Sequence, residues 1–480
     1  MNSRLQQSLS HVVAEFRDEF RRIFCDGGVL LIFVVGTLLY PFIFGAIYKN
    51  EMVRDVPIAV VDEARCDESR RFARKVDATP EINVRYDCQS MEEAKRLVKE
   101  RKIHGILYFP KDFVVQLTSR ETARIGLFCD MSSFLYYRSV YTGASGVLVD
   151  EMRDIQLQRY SLMGLSGEDA EKVVTTVPYD DVKLYCPGGG FTSFLVPALL
   201  VLVLHQTLFL GISIVGGTKY EERLAQSRHR RRYRLRHGSS SIVLGSSSSS
   251  IVHGSSSSSN VHRDSFFSVM RDQLVRALPY FLLYFVLSAI VLIMIPRWFA
   301  LPHIGLLSDL VFFVIPFLFA AIFFSLTVTN FVRHRDGGIL CFIFFSVILL
   351  FMSGTVWPRC NMPWVWKYFS YLFPYTPASQ CFVAINSMGS HIPDIDSPYL
   401  LLCAQALFYF LLNSVIVYFK QKKERTINGK ENRGCTINKA ENGGCTINGK
   451  ENGGCTINKA ENGACTINKA DIRLTKKPER

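Results

Sequence analysis

His205, Gln206 and Thr207 are the polar side chains in the chain best placed to do chemistry in an apolar setting. They sit consecutively in the middle of a run dominated by Leu, Val, Ile and Phe, residues 190–215. An imidazole can pass a proton, and an amide and a hydroxyl can donate and accept hydrogen bonds. Polar groups at such a depth are costly, so they face either a translocation path or neighbouring helices to which they bond. Intramembrane acid–base catalysis would need a second titratable group, and His205 has no acidic companion within an apolar run. Two further patterns resemble chemical sites. Gly444, Gly449 and Lys450 have the spacing of a phosphate-cradling loop, but Glu451 stands where a Ser or Thr should hold the metal, and no apolar strand precedes it. Cys435, Cys445, Cys455 and Cys465 recur once per near-decapeptide, too far apart for a paired-ligand metal knuckle. No Cys-x-x-Cys pair occurs. No catalytic group, bound cofactor or metal is therefore expected on this chain.

The elements that position these residues are apolar blocks. The chain has 480 residues, is 49% hydrophobic and carries a formal charge of +13. Six runs are expected to cross a membrane: 28–48, 190–216, 278–296, 307–331, 339–357 and 399–419. About 20 apolar residues suffice for roughly 30 Å of hydrocarbon. Pro41 is expected to bend the first run, and Pro197 lies in the second. The first run lacks a small-x-small cleavage site and reads as a retained anchor. With the N-terminus inside, six crossings put Arg228–Arg236, the cluster Arg333, His334 and Arg335, and the cluster Lys420, Lys422, Lys423 and Arg425 on the cytoplasmic side. The same count places 49–187 outside. The expected fold is a polytopic α-helical membrane protein of six transmembrane helices with an α/β extracytoplasmic domain. The basic charge then belongs to cytoplasmic loops facing a lipid bilayer, and no nucleic-acid partner is expected.

The segments between the runs have their own patterns. Over residues 5–25, Leu5, Leu9, Val12, Val13, Phe16, Phe20 and Phe24 fall at helical spacing opposite Glu15, Arg17, Asp18, Arg21 and Arg22. This is an amphipathic helix suited to the cytoplasmic leaflet. In 49–187, strands are expected at Val56–Val61, around Ile82, Val84 and Tyr86, at Ile103–Phe109 and at Arg124–Phe128. Helices are expected at Ser69–Val76, from a capping box at Ser90 and Glu93, in a short piece after Pro110, and from about Phe134 to Met163. Alternating strands and helices imply a small mixed sheet. The 217–277 loop contains a Ser-rich linker, 238–262, that cannot bury a core. Segment 358–398 is rich in Trp and Pro and reads as broken and half-inserted at the outer face. The repeat tail, 420–480, is expected to be disordered, although a stack of one strand per turn is conceivable.

Several of these stretches resemble the ABC-2 family of transporter permeases. Ser353, Gly354, Pro358, Met362, Pro363, Pro374 and Thr376 match, in order, the series joining that family's fifth and sixth helices. Pro57–Asp62 and Gly105–Phe113 resemble strands of the external domain in its drug-exporting members. Glu15, Phe16 and Arg17, together with Glu221, Glu222 and Arg223, resemble its connecting helix and coupling segment. Gln206 matches a Gln often found in the second helix, whereas Cys186 and Pro187 stand where Asn-Pro is usual. The resemblance implies an exporter subunit in a bacterial inner membrane with both termini cytoplasmic. It also implies a separate ABC ATP-binding subunit that holds ATP and magnesium, a second permease, and a periplasmic adaptor. His205, Gln206 and Thr207 would then line the path, or else simply hold helices together. For 5–25 the plainer alternative is a positive-inside anchor, and for the Arg-rich run a solvated loop. A different class remains open: a membrane-anchored receptor or scaffold whose external domain binds a partner, distinguished by the absence of a co-purifying ATPase.

Overall fold

The chain is seen in a computed structural model that describes residues 2–48, 52–119, 122–165, 167–175, 182, 184–185, 190–237, 266–301, 303–332, 335–432, 437–439 and 445–447. The Ser-rich linker, Arg333 and His334, Cys186 and Pro187, the P-loop-like Gly449 and Lys450, and Cys435, Cys455 and Cys465 lie outside the described residues.

Helix α1, Asn2–Cys25, precedes the first long apolar segment, Gly27–Ile47. Asp26 starts that segment by accepting the Gly28 and Val29 N–H groups at 3.0 and 3.3 Å. Within it, α2 (Gly27–Leu30) and α3 (Thr37–Ile47) flank a π-helical stretch, Leu31–Gly36.

An α/β unit follows. It runs β1 Val56–Asp62, α4 Asp67–Asp77, β2 Ile82–Cys88, α5 Met91–Lys99, β3 Gly105–Phe109, α6 Phe113–Thr118, β4 Gly126–Cys129, α7 Phe134–Leu162 and α8 Glu168–Val174. The strand order is β2-β1-β3-β4, with β1 parallel to β2 and β3, and β4 antiparallel to β3. Period-two alternation serves two cores. Ile58, Val60, Leu107 and Phe109 face α4 and α7 through Phe72, Val76, Val140 and Ala144. Ala59, Val61 and Ile106 face Ala94 on α5. Ser90 accepts the Glu93 N–H at 3.2 Å and Glu93 reaches back to the N–H of Gln89, one residue before the cap.

The remaining helices are α9 Phe191–His237, α10 Phe266–Ala289, α11 Ile295–Trp298, α12 Leu307–Thr329, α13 Arg335–Met352, α14 Trp364–Ser370, α15 Tyr375–Met388 and α16 Asp396–Asn432. A second π-helical stretch, Ile290–Met294, joins α10 to α11. Among the described residues, five helical segments are long and apolar enough to cross a membrane: Gly27–Ile47, Phe191–His229, Phe266–Trp298, Leu307–Thr329 and Ile392–Glu424. The chain is thus a multi-pass membrane protein. The expected crossing at 339–357 is shorter: α13 stops at Met352 because Gly354 turns the backbone to φ +94°, a left-handed conformation that ends a helix. At the other extreme, α16 continues past the expected end at Phe419 to Asn432, and Ile437–Lys439 (β5) pairs antiparallel with Cys445–Ile447 (β6).

Buried contacts set the directions of the helices. Phe33 meets Gly211, Thr37 meets Thr207 and Tyr48 meets Phe191, so the first segment and α9 are antiparallel. Asn330 meets Asn413 while Tyr399 meets Phe312, so α12 and α16 are parallel. One end of the bundle therefore carries the α/β unit and the α13–α16 elbow. The opposite end carries α1, the C-terminal end of α12 and the basic C-terminal stretches of α9 and α16.

Candidate coupling site

The basic end is organised by one buried carboxylate. On α1, Val12 and Phe16 are half-buried and Ile23 is fully buried, and Glu19 falls in the same stripe, only 4% exposed. Its carboxylate accepts the Tyr280 hydroxyl at 2.7 Å and Arg276 Nε at 3.4 Å, both from α10, and the Lys219 ammonium from α9. Burial alone would raise this carboxyl; Arg276 and Lys219 outweigh it and hold the pKa at about 2. Because the folded value lies below the ordinary 4.5, the stabilisation is complete above that pH and is lost as pH falls towards 2. Near-UV circular dichroism of the solubilised protein should follow this loss, and a Glu19→Gln variant should show a shallower slope across the window.

One turn further on, Arg22 Nη1 pairs with Glu222 Oε2 at 3.0 Å, with both side chains about half exposed. Among the residues proposed for coupling, the structure brings Glu222 directly onto α1. Glu221 and Arg223 are exposed on the same stretch of α9, Arg17 is exposed on α1, and Glu15 and Phe16 are half-buried. The 219–223 stretch is not a separate helix: α9 runs without a break from Phe191 to His237.

A chain of amides continues the site. Lys420 Nζ donates to Asn330 Oδ1 at 3.2 Å, Asn330 Nδ2 to Asn413 Oδ1 at 2.8 Å, and Asn413 Nδ2 to Gln273 Oε1 at 3.0 Å. It ties α12, α16 and α10 at the same level. Sequence reasoning did not single out Glu19, Arg276, Tyr280 or this amide chain. The available signal was positional: Glu19 is three residues after Phe16 and four before Ile23, an acid in the apolar register of its helix.

At mid-depth, His205, Gln206 and Thr207 point in different directions, as consecutive helical residues must. The Thr207 hydroxyl donates to the Val203 carbonyl at 2.8 Å and accepts Thr37 at 2.8 Å and Tyr284 at 3.1 Å, joining three segments. His205 is 2% exposed between the rings of Phe324 and Tyr375, 5.6 and 6.5 Å away. Neither of its ring nitrogens meets a hydrogen-bonding partner among the described residues. Gln206 is buried at 6% exposure.

At the far end, the Ser-Gly-Pro series forms an elbow. Ser353 donates to the Leu350 carbonyl at 2.7 Å and accepts the Thr355 N–H at 3.2 Å. Pro358 precedes a 3-10 turn at Arg359–Asn361, Met362 ends that turn, and Pro363 and Pro374 stand at the N-caps of α14 and α15. Each Pro thus sits where its missing N–H costs nothing. Thr376 is fully buried in α15.

The family model described as ABC-2 family transporter protein matches residues 28–234 and 274–415. A search of curated proteins finds no match.

Proposed function

The chain belongs to the ABC-2 family of transporter permeases, and from that premise we propose that it is the membrane subunit of an ATP-driven exporter that moves a hydrophobic or amphipathic substrate out of the cytoplasm or inner leaflet. Membership implies pairing with an ABC ATP-binding subunit, which would hold ATP and magnesium. In this reading two permeases, identical or paired, enclose the path in a bacterial inner membrane. The α13 helix serves as the sixth crossing, both termini lie in the cytoplasm, and the α/β unit lies outside, where it can meet a periplasmic adaptor.

The observation that carries the proposal is the pinning of α1 to α9 and α10 by Glu19 and Arg22. Force applied by closing ATPase subunits to the Glu15–Arg17 and Glu221–Arg223 surfaces would pass through these ties into two long helices. His205, Gln206 and Thr207 lie in the apolar part of α9, about four turns from its start. The unpartnered nitrogens of His205 support a place on or beside the path.

Charge reversal at Glu222 tests the coupling. The Arg22–Glu222 pair is half exposed, so its loss should alter stability by no more than about 1 kcal/mol. In a reconstituted complex, Glu222→Arg should leave ATP hydrolysis running while efflux of a lipophilic dye stops. Adding Arg22→Glu should restore part of the transport. Unchanged efflux in the single variant would refute the coupling role.

A further inference from the structure

We infer that the α13–α15 elbow holds the phosphate headgroup of an anionic phospholipid at the bilayer boundary. The sequence from Gly337 to Pro393 contains no Asp or Glu, yet the elbow carries Arg359 and Lys367. Arg359 is fixed in place. Its stem lies against Gly354, where a Cβ would stand 2.4 Å from the Arg359 Cγ. Its guanidinium carbon sits 4.3 Å from the centroid of the Tyr371 ring. Nη2 reaches the Lys367 carbonyl and the Ser370 hydroxyl only at 3.4 Å, and Nη1 is enclosed without an acceptor. Burial lowers the pKa of the guanidinium and Tyr371 opposes it; among the described residues no carboxylate compensates the charge. A desolvated cation with unused hydrogen-bonding capacity favours an incoming anion.

The surroundings identify that anion as a lipid headgroup. The chain has four tryptophans, and all of them lie at this end of the bundle: Trp298, Trp357, Trp364 and Trp366 are 54% to 73% exposed. Trp and Tyr settle at headgroup level. Trp364, Val365 and Tyr368 are exposed on α14, the helix that carries Lys367, with Leu372 just beyond, giving an apolar surface. Acyl chains would meet that face while the phosphate meets Arg359 and Lys367. A soluble anion would have no use for the apolar half of the site.

The inference rests on the reading that this end lies at a bilayer surface, and one experiment separates the two. The full-length protein is reconstituted in phosphatidylcholine vesicles doped with phosphatidylglycerol, with either lipid brominated near the glycerol end of its acyl chains. Bromine quenches indole fluorescence on contact, and every indole in the chain is at the elbow end. Brominated phosphatidylglycerol should quench at several-fold lower mole fraction than brominated phosphatidylcholine. Lys367→Gln should reduce that preference about fivefold, which corresponds to the ~1 kcal/mol of a Lys or Arg near an anionic surface. Arg359→Lys should retain more of it than Arg359→Gln, and inorganic phosphate should not displace the lipid. Equal quenching by the two lipids, or displacement by inorganic phosphate, overturns the headgroup site but leaves the bilayer placement standing. Absence of quenching by either lipid overturns the bilayer placement itself.

Discussion

Glu19→Gln destabilises the solubilised protein by about 3–5 kcal/mol, the largest effect expected of any isosteric change in the chain. The amide keeps the shape of the carboxylate and can still accept the Tyr280 hydroxyl. What it loses is the negative charge that sits between Lys219 and Arg276, at a position only 4% exposed. Two like charges are then left in a largely desolvated site, with only the weaker field of Glu15 acting on Arg276. A second change tests this cause against simple loss of packing. Lys219→Met added to Glu19→Gln returns the node to its original net charge and should recover more than half of the lost stability. Thermal melts of the three proteins in one detergent read the result. A Glu19→Gln protein within about 0.5 kcal/mol of the parent would show that the node is incidental.

The second large effect is steric. Gly211 faces Phe33 so closely that an added Cβ would stand 1.9 Å from the ring. Phe33 is fully buried and wedged edge-on against Tyr280 and Tyr284, with ring centroids 6.0 and 5.3 Å away, so it has no free space to turn into. Gly211→Ala should therefore cost about 1–3 kcal/mol through overpacking, and Gly211→Val more. Phe33→Leu alone should also destabilise, by opening a cavity. Combined with Gly211→Ala it should do less harm than the sum, with a coupling of about 1 kcal/mol or more. Strict additivity would mean that the helices do not approach as closely as the structure has them.

The long elements were legible because each depends on a local signal. The strands of the α/β unit follow from alternation, and the apolar runs show by length. Proline and Ser-Gly punctuation marks the elbow, where Pro363 and Pro374 both prove to be caps. The end of α13 was misplaced because Val356 and Trp357 continue the apolar run, whereas Gly354 has already turned the backbone. The ion node was not legible for a different reason. Glu19 lies 200 residues before Lys219 and 257 before Arg276 in sequence, and each alone looks like an ordinary charge on a helix. Only the packing of α1 against α10 makes them one group. His205 was visible from its type and depth, but that both its nitrogens would lack partners among the described residues depended on which way its side of α9 faced.

The unbroken length of α9 has a mechanical consequence. At 1.5 Å per residue, Thr207 lies about 22 Å from Glu222, which stands well short of the His237 end, and about the same distance from Thr192 near the start. The Thr37–Thr207–Tyr284 contact clasps the rod midway between those two residues. A stiff beam clasped there behaves as a see-saw: a sideways pull on Glu222 swings Thr192 the opposite way by a similar amount. Spin labels at these two positions, each measured against a fixed site on α12, should therefore report displacements of opposite sign.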